Sequence, residues 1–285
     1  MKFPAAGNPA AGTKGGIDIA KDTVWSFSRV NGFHSCPYGW YLRYKATSPA
    51  ERKKLFFSEY GTFMHELLAA YYNGDMTAAQ ASREFTRSFG NRVLISNPPS
   101  EKVLQSYYDA GKQHLEDLPD KPTENILCTE KKMRFKIGKL KVVGIVDLVV
   151  QNGTKYKIVD HKSHALKPRS KSGRPLKTDA ELDAYLRQLY LYAQAMHENL
   201  FLFSDDLADQ YPDALCFNCF RSGVTIEEPF DLSKLKEATD WFQDEVKRIE
   251  AESDFEPNIE PFKCKYICDV QDQCEYWKFY VGRGG

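Results

Sequence analysis

An Asn152-Gly153 pair stands between two short β-branched runs, residues 139–150 and 155–162. Asn-Gly flanked by alternating apolar residues is a strong short-range signal for a two-residue β-hairpin. With Asn152 and Gly153 as the turn, Gln151 faces Thr154 and Asp147 faces Ile158. Side chains alternate along a strand, so Asp160 and Lys162 share Asp147's face, with Asp160 one diagonal step away. Val143, Ile145 and Val149 surround them on that face, and Val146, Leu148, Val150 and Val159 line the other. A carboxylate on so apolar a hairpin needs a partner, because burying an unpaired charge is costly. A structural Asp–Lys pair at a strand end would satisfy one of the two acids. Two carboxylates held close raise each other's pKa unless a cation lies between them. An oxygen-rich site of that kind suits magnesium or manganese.

The hairpin sits within a longer pattern. The segment WSFSRVNGFHSCPYGWYLRY, residues 25–44, reads as one or two short helices with Ser26 or Ser28 as N-cap. GTFMHELLAAYY, residues 61–72, has helical periodicity, and two further helices are expected near 76–90 and 101–117. Residues 125–136 are strand-like, 180–198 return to helix, 213–221 read as a strand and 231–252 as an amphipathic helix. The order of helices, three strands, helix, strand and helix implies an α/β fold with a central mixed β-sheet flanked by helices.

GIVDLVV followed by KIVDHKS resembles the PD-(D/E)XK nuclease pattern. Asp147 matches its first acid, Asp160 its second and Lys162 its lysine. The likeness extends to the RecB-like branch. His65 in GTFMHELL matches an upstream histidine that contributes a metal ligand there, while Glu66 points elsewhere on the helix, solvated or paired. Gln188 and Tyr192, four apart and so on one helix face, match the QxxxY motif that lies near the DNA and the active site. The resemblance spans roughly residues 25–280. It implies a restriction-endonuclease-like core, with Asp147, Asp160, His65 and the backbone carbonyl of His161 holding one or two magnesium or manganese ions. It makes Asp147, Asp160 and Lys162 the catalytic set. Lys162, desolvated beside the metal, should have a lowered pKa. The stretch 162–177 contains six Lys or Arg and no acid, so Lys167, Arg169, Lys171 and Arg174 are candidate phosphate contacts, with a solvated charged loop as the alternative.

Seven cysteines, an odd number, argue against a disulfide framework. Cys264, Cys268 and Cys274 fall in a C-x3-C-x5-C spacing near the end of the chain. The segment around Cys36 resembles the early Ser…CP segment of RecB-like nucleases in which one early and three late cysteines bind a 4Fe-4S iron–sulfur cluster. The late spacing there is usually C-x2-C-x5-C. Zinc is the alternative occupant, since four thiolates satisfy it too. Cys128, Cys216 and Cys219 read as small buried hydrophobes.

With 39 basic and 39 acidic side chains the net charge is zero, so a nucleic-acid surface must be local. No stretch of 18 apolar residues is present to span a membrane, and residues 1–22 read as a flexible tail rather than a signal peptide, which makes a cytoplasmic location the expectation. Residues 23–285 are expected to form a single nuclease domain: a helical part at 23–120, a catalytic core at 121–255 and a cysteine-cluster tail at 256–285. No phosphate-binding GxxxxGK[ST] loop occurs, so no motor is encoded. The expected activity is metal-dependent hydrolysis of DNA, on single strands or duplex ends, as an exonuclease of the phage or CRISPR-associated kind. It would act alone or beside a separate helicase or recombination protein. A DNA-binding scaffold with a degenerate nuclease fold and a structural metal is the competing expectation.

Overall fold

Six strands pair into one mixed sheet in the computed structural model, which describes residues 23–171, 176–199, 202–203, 207 and 209–282. The expected tail 1–22 and Arg174 lie outside the described residues. Strands β2 (Asn125–Ile137), β3 (Leu140–Asn152) and β4 (Lys155–His161) form an antiparallel meander. Helix α6 (Lys177–Asn199) crosses over to β5 (Ala214–Cys219), which lies parallel to β4. Strand β6 (Val224–Pro229) closes the edge as a hairpin partner of β5. Sequence periodicity misses β6 because Ile226 is its one buried residue, as expected of a short edge strand.

The β3–β4 register differs by one step from the sequence expectation. Asn152 pairs with Lys155, so the turn residues are Gly153 and Thr154 rather than Asn152 and Gly153. Gly153 alone takes the left-handed backbone there, with φ +62°, which suits a turn with glycine at its first central position. The parity of the pairing is unchanged, so Asp147 and Asp160 still share a face. The shift does bring Asp160 directly opposite Asp147, one pair beyond Leu148–Val159.

Strand β3 has an interrupted edge. One side is paired with β2 along its length. The other side receives β4 at residues 148–152 and the two-residue strand β1 (Val24–Trp25), in parallel, at Lys141 and Val142. Between those partners, residues 143–147 have no strand beside them on that edge among the described residues, and helix α6 fills the opening. Gly144 allows this: a Cβ there would sit 2.6 Å from Tyr192 Cε1. The Tyr192 hydroxyl in turn accepts the Ile145 N–H that the missing strand would have taken.

The helices follow from their caps and apolar faces. In α1 (Phe27–Ser35) Ser26 Oγ accepts the Arg29 N–H at 3.1 Å, which settles the N-cap on Ser26 rather than Ser28. Cys36 caps α2 (Pro37–Tyr44). Helix α3 (Phe56–Tyr72) starts five residues earlier than expected, where the Ser58 hydroxyl accepts the Leu55 N–H. Helix α4 (Ala78–Val93) opens on a Thr77–Gln80 capping box, and α5 (Glu101–Glu116) on Ser100. Helices α3, α4 and α5 enclose a small aromatic core of their own that reaches Phe220 after β5. The main core lies between the sheet, α1, α2, α6 and α7 (Leu232–Ala251). The tail, expected to be irregular, contains two short helices, α8 (Pro261–Tyr266) and α9 (Glu275–Gly282).

The close approach at Gly144 yields a stability prediction. Gly144→Ala should displace the Tyr192 ring and destabilise the fold by about 1–3 kcal/mol, the usual cost of overpacking. A thermal melt checks this; an unchanged midpoint would mean that α6 yields freely at this contact.

Candidate functional site

Three carboxylates lie in one row across three adjacent strands. The pairs Thr129–Leu148 and Lys131–Val146 bracket Glu130 and Asp147 on β2 and β3, while the β3–β4 register sets Asp147 against Asp160. Glu130 leaves the regular ladder with a left-handed φ of +42°, costly for a residue with a side chain. Asp160 is 2% exposed and Asp147 is 9% exposed. Where β4 turns away from β3, the His161 N–H donates to Asp147 Oδ2 at 2.8 Å instead of to a strand carbonyl.

Helix α3 brings His65 onto this row. Its Nδ1 lies 2.9 Å from Glu130 Oε1 and 3.6 Å from Asp147 Oδ2, and its Nε2 lies 3.1 Å from the His161 carbonyl oxygen. The potential ligand atoms of His65, Glu130 and Asp147 all fall within 4.8 Å of one another. Burial and the adjacent Asp160 charge push the Asp147 carboxyl up to about 7, against the opposing pull of His65 and the His161 N–H. Burial disfavours the His65 imidazolium, but the Glu130 hydrogen bond and the Asp147, Glu130 and Asp160 charges outweigh it and raise that group to about 9. Converging acids, an imidazole and a backbone carbonyl form a donor set that fits a hard divalent cation. Glu66, next to His65, points away and pairs with Arg92.

Lys162 is placed by both its neighbours and α6. Its Nζ forms a 2.7 Å ion pair with Asp160 Oδ2 and donates to Gln188 Oε1 at 3.1 Å. Gln188 Nε2 donates to the Tyr192 hydroxyl at 2.7 Å. The two α6 residues therefore link the lysine to the open edge of β3 through Ile145. Among the protein's own groups the balance on the Lys162 pKa runs opposite to the fall expected beside a bound metal. Burial acts to lower it, but Asp160 and Asp147 outweigh burial and raise it.

Behind the site, Asn218 on β5 holds the turn of chain that carries both His161 and Lys162. Its carbonyl accepts the Lys162 N–H at 2.9 Å, and its amide nitrogen lies 3.2 Å from His161 Nδ1 and 3.5 Å from His114 Nε2. The His161 ring is buried and stacks on Tyr72, with centroids 5.9 Å apart, while its carbonyl meets His65. Glu130 and Asn218 were both missed in the sequence. Glu130 had a usable signal: Gly138 and Lys139 form a second two-residue turn, between the paired Ile137 and Leu140, and counting back from it reaches Glu130 opposite Asp147.

The basic loop is less free than its composition implies. Arg169 is held by Asp183 at 2.7 Å and Glu228 at 3.0 Å, and the Asp179 carboxylate accepts the Ser170 and Leu176 N–H groups. Lys167 and Lys171 are exposed.

The four cysteines singled out in the sequence meet at a second place, where Cys36, Cys264, Cys268 and Cys274 line one cavity of about 80 Å³. Cys36 Sγ accepts N–H groups from Gly39 at 3.3 Å and Asn258 at 3.4 Å, and Cys274 Sγ accepts the Trp277 N–H at 3.4 Å. Around them the chain ends are tied together: Arg43 Nε donates to Asp269 at 2.7 Å, and the Tyr38 hydroxyl to Glu275 at 3.0 Å. Cys216 and Cys219 are buried elsewhere, and Cys128 is half-buried beside an irregularity in β2.

No curated protein matches this chain. A sequence model of the PD-(D/E)XK nuclease superfamily matches residues 24–275, from the two-residue strand β1 to the start of α9. That match runs through the acidic row, the lysine and the cysteine corner, and the mixed sheet flanked by helices agrees with the restriction-endonuclease-like core of such enzymes. The chain belongs to the PD-(D/E)XK nuclease superfamily.

Proposed function

We propose that this protein is a magnesium- or manganese-dependent DNA nuclease of the RecB-like kind, acting as an exonuclease in recombination, repair, or phage or CRISPR DNA processing. The carrying observation is the row Glu130–Asp147–Asp160, its two aspartates buried, with His65 above it and Lys162 beside it. Asp147, Asp160, His65 and the His161 carbonyl would hold the metal, and Glu130 would orient His65 through Nδ1 or join as a ligand. A bound divalent ion supplies a water of lowered pKa and neutralises phosphate charge. Lys162, kept cationic by Asp160, stands ready to stabilise charge developing on the phosphate. Gln188 and Tyr192 fix the height of that ammonium above the sheet. The degenerate-scaffold alternative gains nothing from this geometry, since a scaffold has no need of a strained Glu130 or a buried acid pair. The described helices include none long and apolar enough to cross a membrane, and a reduced cytoplasmic setting suits the cysteine corner.

Asp147→Ala, Asp160→Ala and Lys162→Ala should each cut metal-dependent digestion of a labelled oligonucleotide at least about a hundredfold. Glu130→Gln should weaken metal binding roughly ten- to hundredfold while sparing the fold. Calorimetric titration with manganese reads the second effect, and full activity in any of the three alanine variants would remove that residue from the site.

Phosphate contact by the basic loop would rest on Lys167 and Lys171, with Arg174 beside them in sequence, because Arg169 is already engaged by two carboxylates. Neutralising Lys167 and Lys171 together should lower the slope of log affinity against log salt by about 1.4–1.8. Arg169→Ala should instead act on stability. An unchanged slope would make the loop a solvated surface.

The cysteine corner would hold a 4Fe-4S cluster with a structural role. Four thiolates around one zinc would stand about 3.8 Å apart, given Zn–S bonds of about 2.3 Å in a tetrahedron. Cys36 and Asn258 touch although 222 residues apart, so a cluster there closes a very long loop. In disulfide-like treatments such closure is worth roughly 3–5 kcal/mol. Anaerobically purified protein should be brown, with about four irons per chain. Cys36→Ser should lose colour and melting temperature as severely as Cys264→Ser, while Cys128→Ser keeps both. Colourless protein with one zinc would replace the cluster by a zinc clasp.

A further inference from the structure

Helix α3 aligns three features at intervals of one turn: Phe57, Gly61 and His65. His65 belongs to the acidic site. Gly61 lines the open cleft beside it, and a Cβ on Gly61 would lie 3.9 Å from Ser163 Oγ, adjacent to Lys162. Phe57, about 12 Å from His65 along the helix axis, begins an aromatic patch. It packs on Tyr107 at 5.3 Å and meets Phe262 of the tail at 6.0 Å; Phe262 meets Tyr266 at 5.2 Å. Phe262 is 52% exposed.

Cations border these rings. The Arg221 guanidinium lies 4.3 Å from the Tyr107 ring centre, and Lys265 Nζ lies 5.1 Å from that of Tyr266; neither makes an ion pair with a described carboxylate. Lys263 and Lys54, nearby in sequence, are paired with Glu260 and Glu59. The patch is continuous with the site. Arg221 follows Phe220, whose ring is 6.4 Å from His65, and Tyr185, which lies under Lys162, feels the Lys263 charge.

We infer that the face formed by Phe57, Phe262 and Tyr266, with Arg221 and Lys265, is a stacking platform for an unpaired nucleic-acid strand that leads into the cleft at His65. Ring faces accept only bases that are not already stacked in a duplex, and interleaved cations track a phosphate backbone. Mixed aromatic and cationic chemistry beside a phosphodiester-cleaving centre therefore fits a single strand better than a duplex end. It also gives the cysteine corner a second role. Helix α8 carries Phe262, Cys264 and Tyr266 together, and Asn258 just before it binds both Cys36 Sγ and the Ser35 carbonyl. Anything that loosens the clasp moves one wall of the platform.

This inference rests on the nuclease reading and deepens it by naming the substrate as single-stranded. The test uses a fluorescein-labelled oligothymidylate and a blunt duplex, each bound by the full chain in EDTA and then cleaved with manganese. Phe262→Ala, a change at an exposed position, should weaken oligothymidylate binding roughly tenfold and leave duplex binding within about twofold. Phe262→Trp should restore the single-strand affinity, because a larger ring stacks at least as well. Phe262→Ala protein that cleaves and binds the oligothymidylate like the parent would overturn the platform alone. So would equal losses on both substrates, or a loss of self-association in sedimentation without a loss of DNA affinity. Failure of the parent protein to cleave either DNA with manganese would instead overturn the nuclease reading, and the binding arm would still report on the platform.

Discussion

Two carboxylates buried side by side on facing strands are the constraint on which the rest of this structure depends. That setting resists charge on the pair: burial first, and then the Asp160 charge, push Asp147 up to about 7. The protein meets this resistance from three sides. Lys162 neutralises Asp160 from the α6 side, His65 approaches Asp147 from α3, and the His161 N–H donates to Asp147 from within the sheet. These groups leave a pocket of carboxylate, imidazole and carbonyl donors of the kind that could hold a divalent ion.

The break in the β3 edge frees backbone groups for the site. Had β4 stayed paired with β3 to the end, the His161 N–H would be taken by the ladder rather than by Asp147. Instead β4 departs after Val159, β1 covers the far end of β3, and α6 closes the opening with a side-chain relay from Lys162 through Gln188 to Tyr192 and Ile145. This gives the Gln188–Tyr192 spacing a physical meaning. One helical turn matches the distance from the lysine to an orphaned strand N–H, and Gly144 lets the tyrosine ring descend far enough to reach it.

The sequence conveyed the periodic features and missed the ones set by exceptions. The meander, the long helices and the convergence of Asp147, Asp160 and Lys162 follow from alternation and turn chemistry, which act locally. The turn position was off by one because Asn152 stays in extended pairing with Lys155, leaving the left-handed conformation to Gly153. Glu130 was hidden because it sits among Lys131, Lys132 and Arg134 on a solvated-looking strand, and its value arises from an irregular backbone that no residue type announces. Asn218 was hidden for another reason. Its partners His114 and His161 come from α5 and β4, and only the parallel β4–β5 pairing brings them together. At Lys162 the acid two residues away outweighs burial among the protein's own groups.

The two ends of the chain bear on the same centre by different routes. Trp25 enters the sheet beside Val142 and stacks on Trp40, so the early helices are seated on the strand that carries Asp147. The tail reaches back to those helices through Asp269, Glu275 and Asn258 and then lays Phe262 against Phe57 at the start of α3. The helix that delivers His65 is thereby buttressed at its first turn by the tail and at its middle by Phe220. A displacement of the tail would pass along α3 as a rigid shift, because helices transmit small movements without absorbing them. The His65 imidazole, held between Glu130 and the His161 carbonyl at distances near 3 Å, has little room to tolerate such a shift. The tail and the acidic row are therefore linked through the position of one helix, which meets Phe262 at its first turn and carries His65 near its middle.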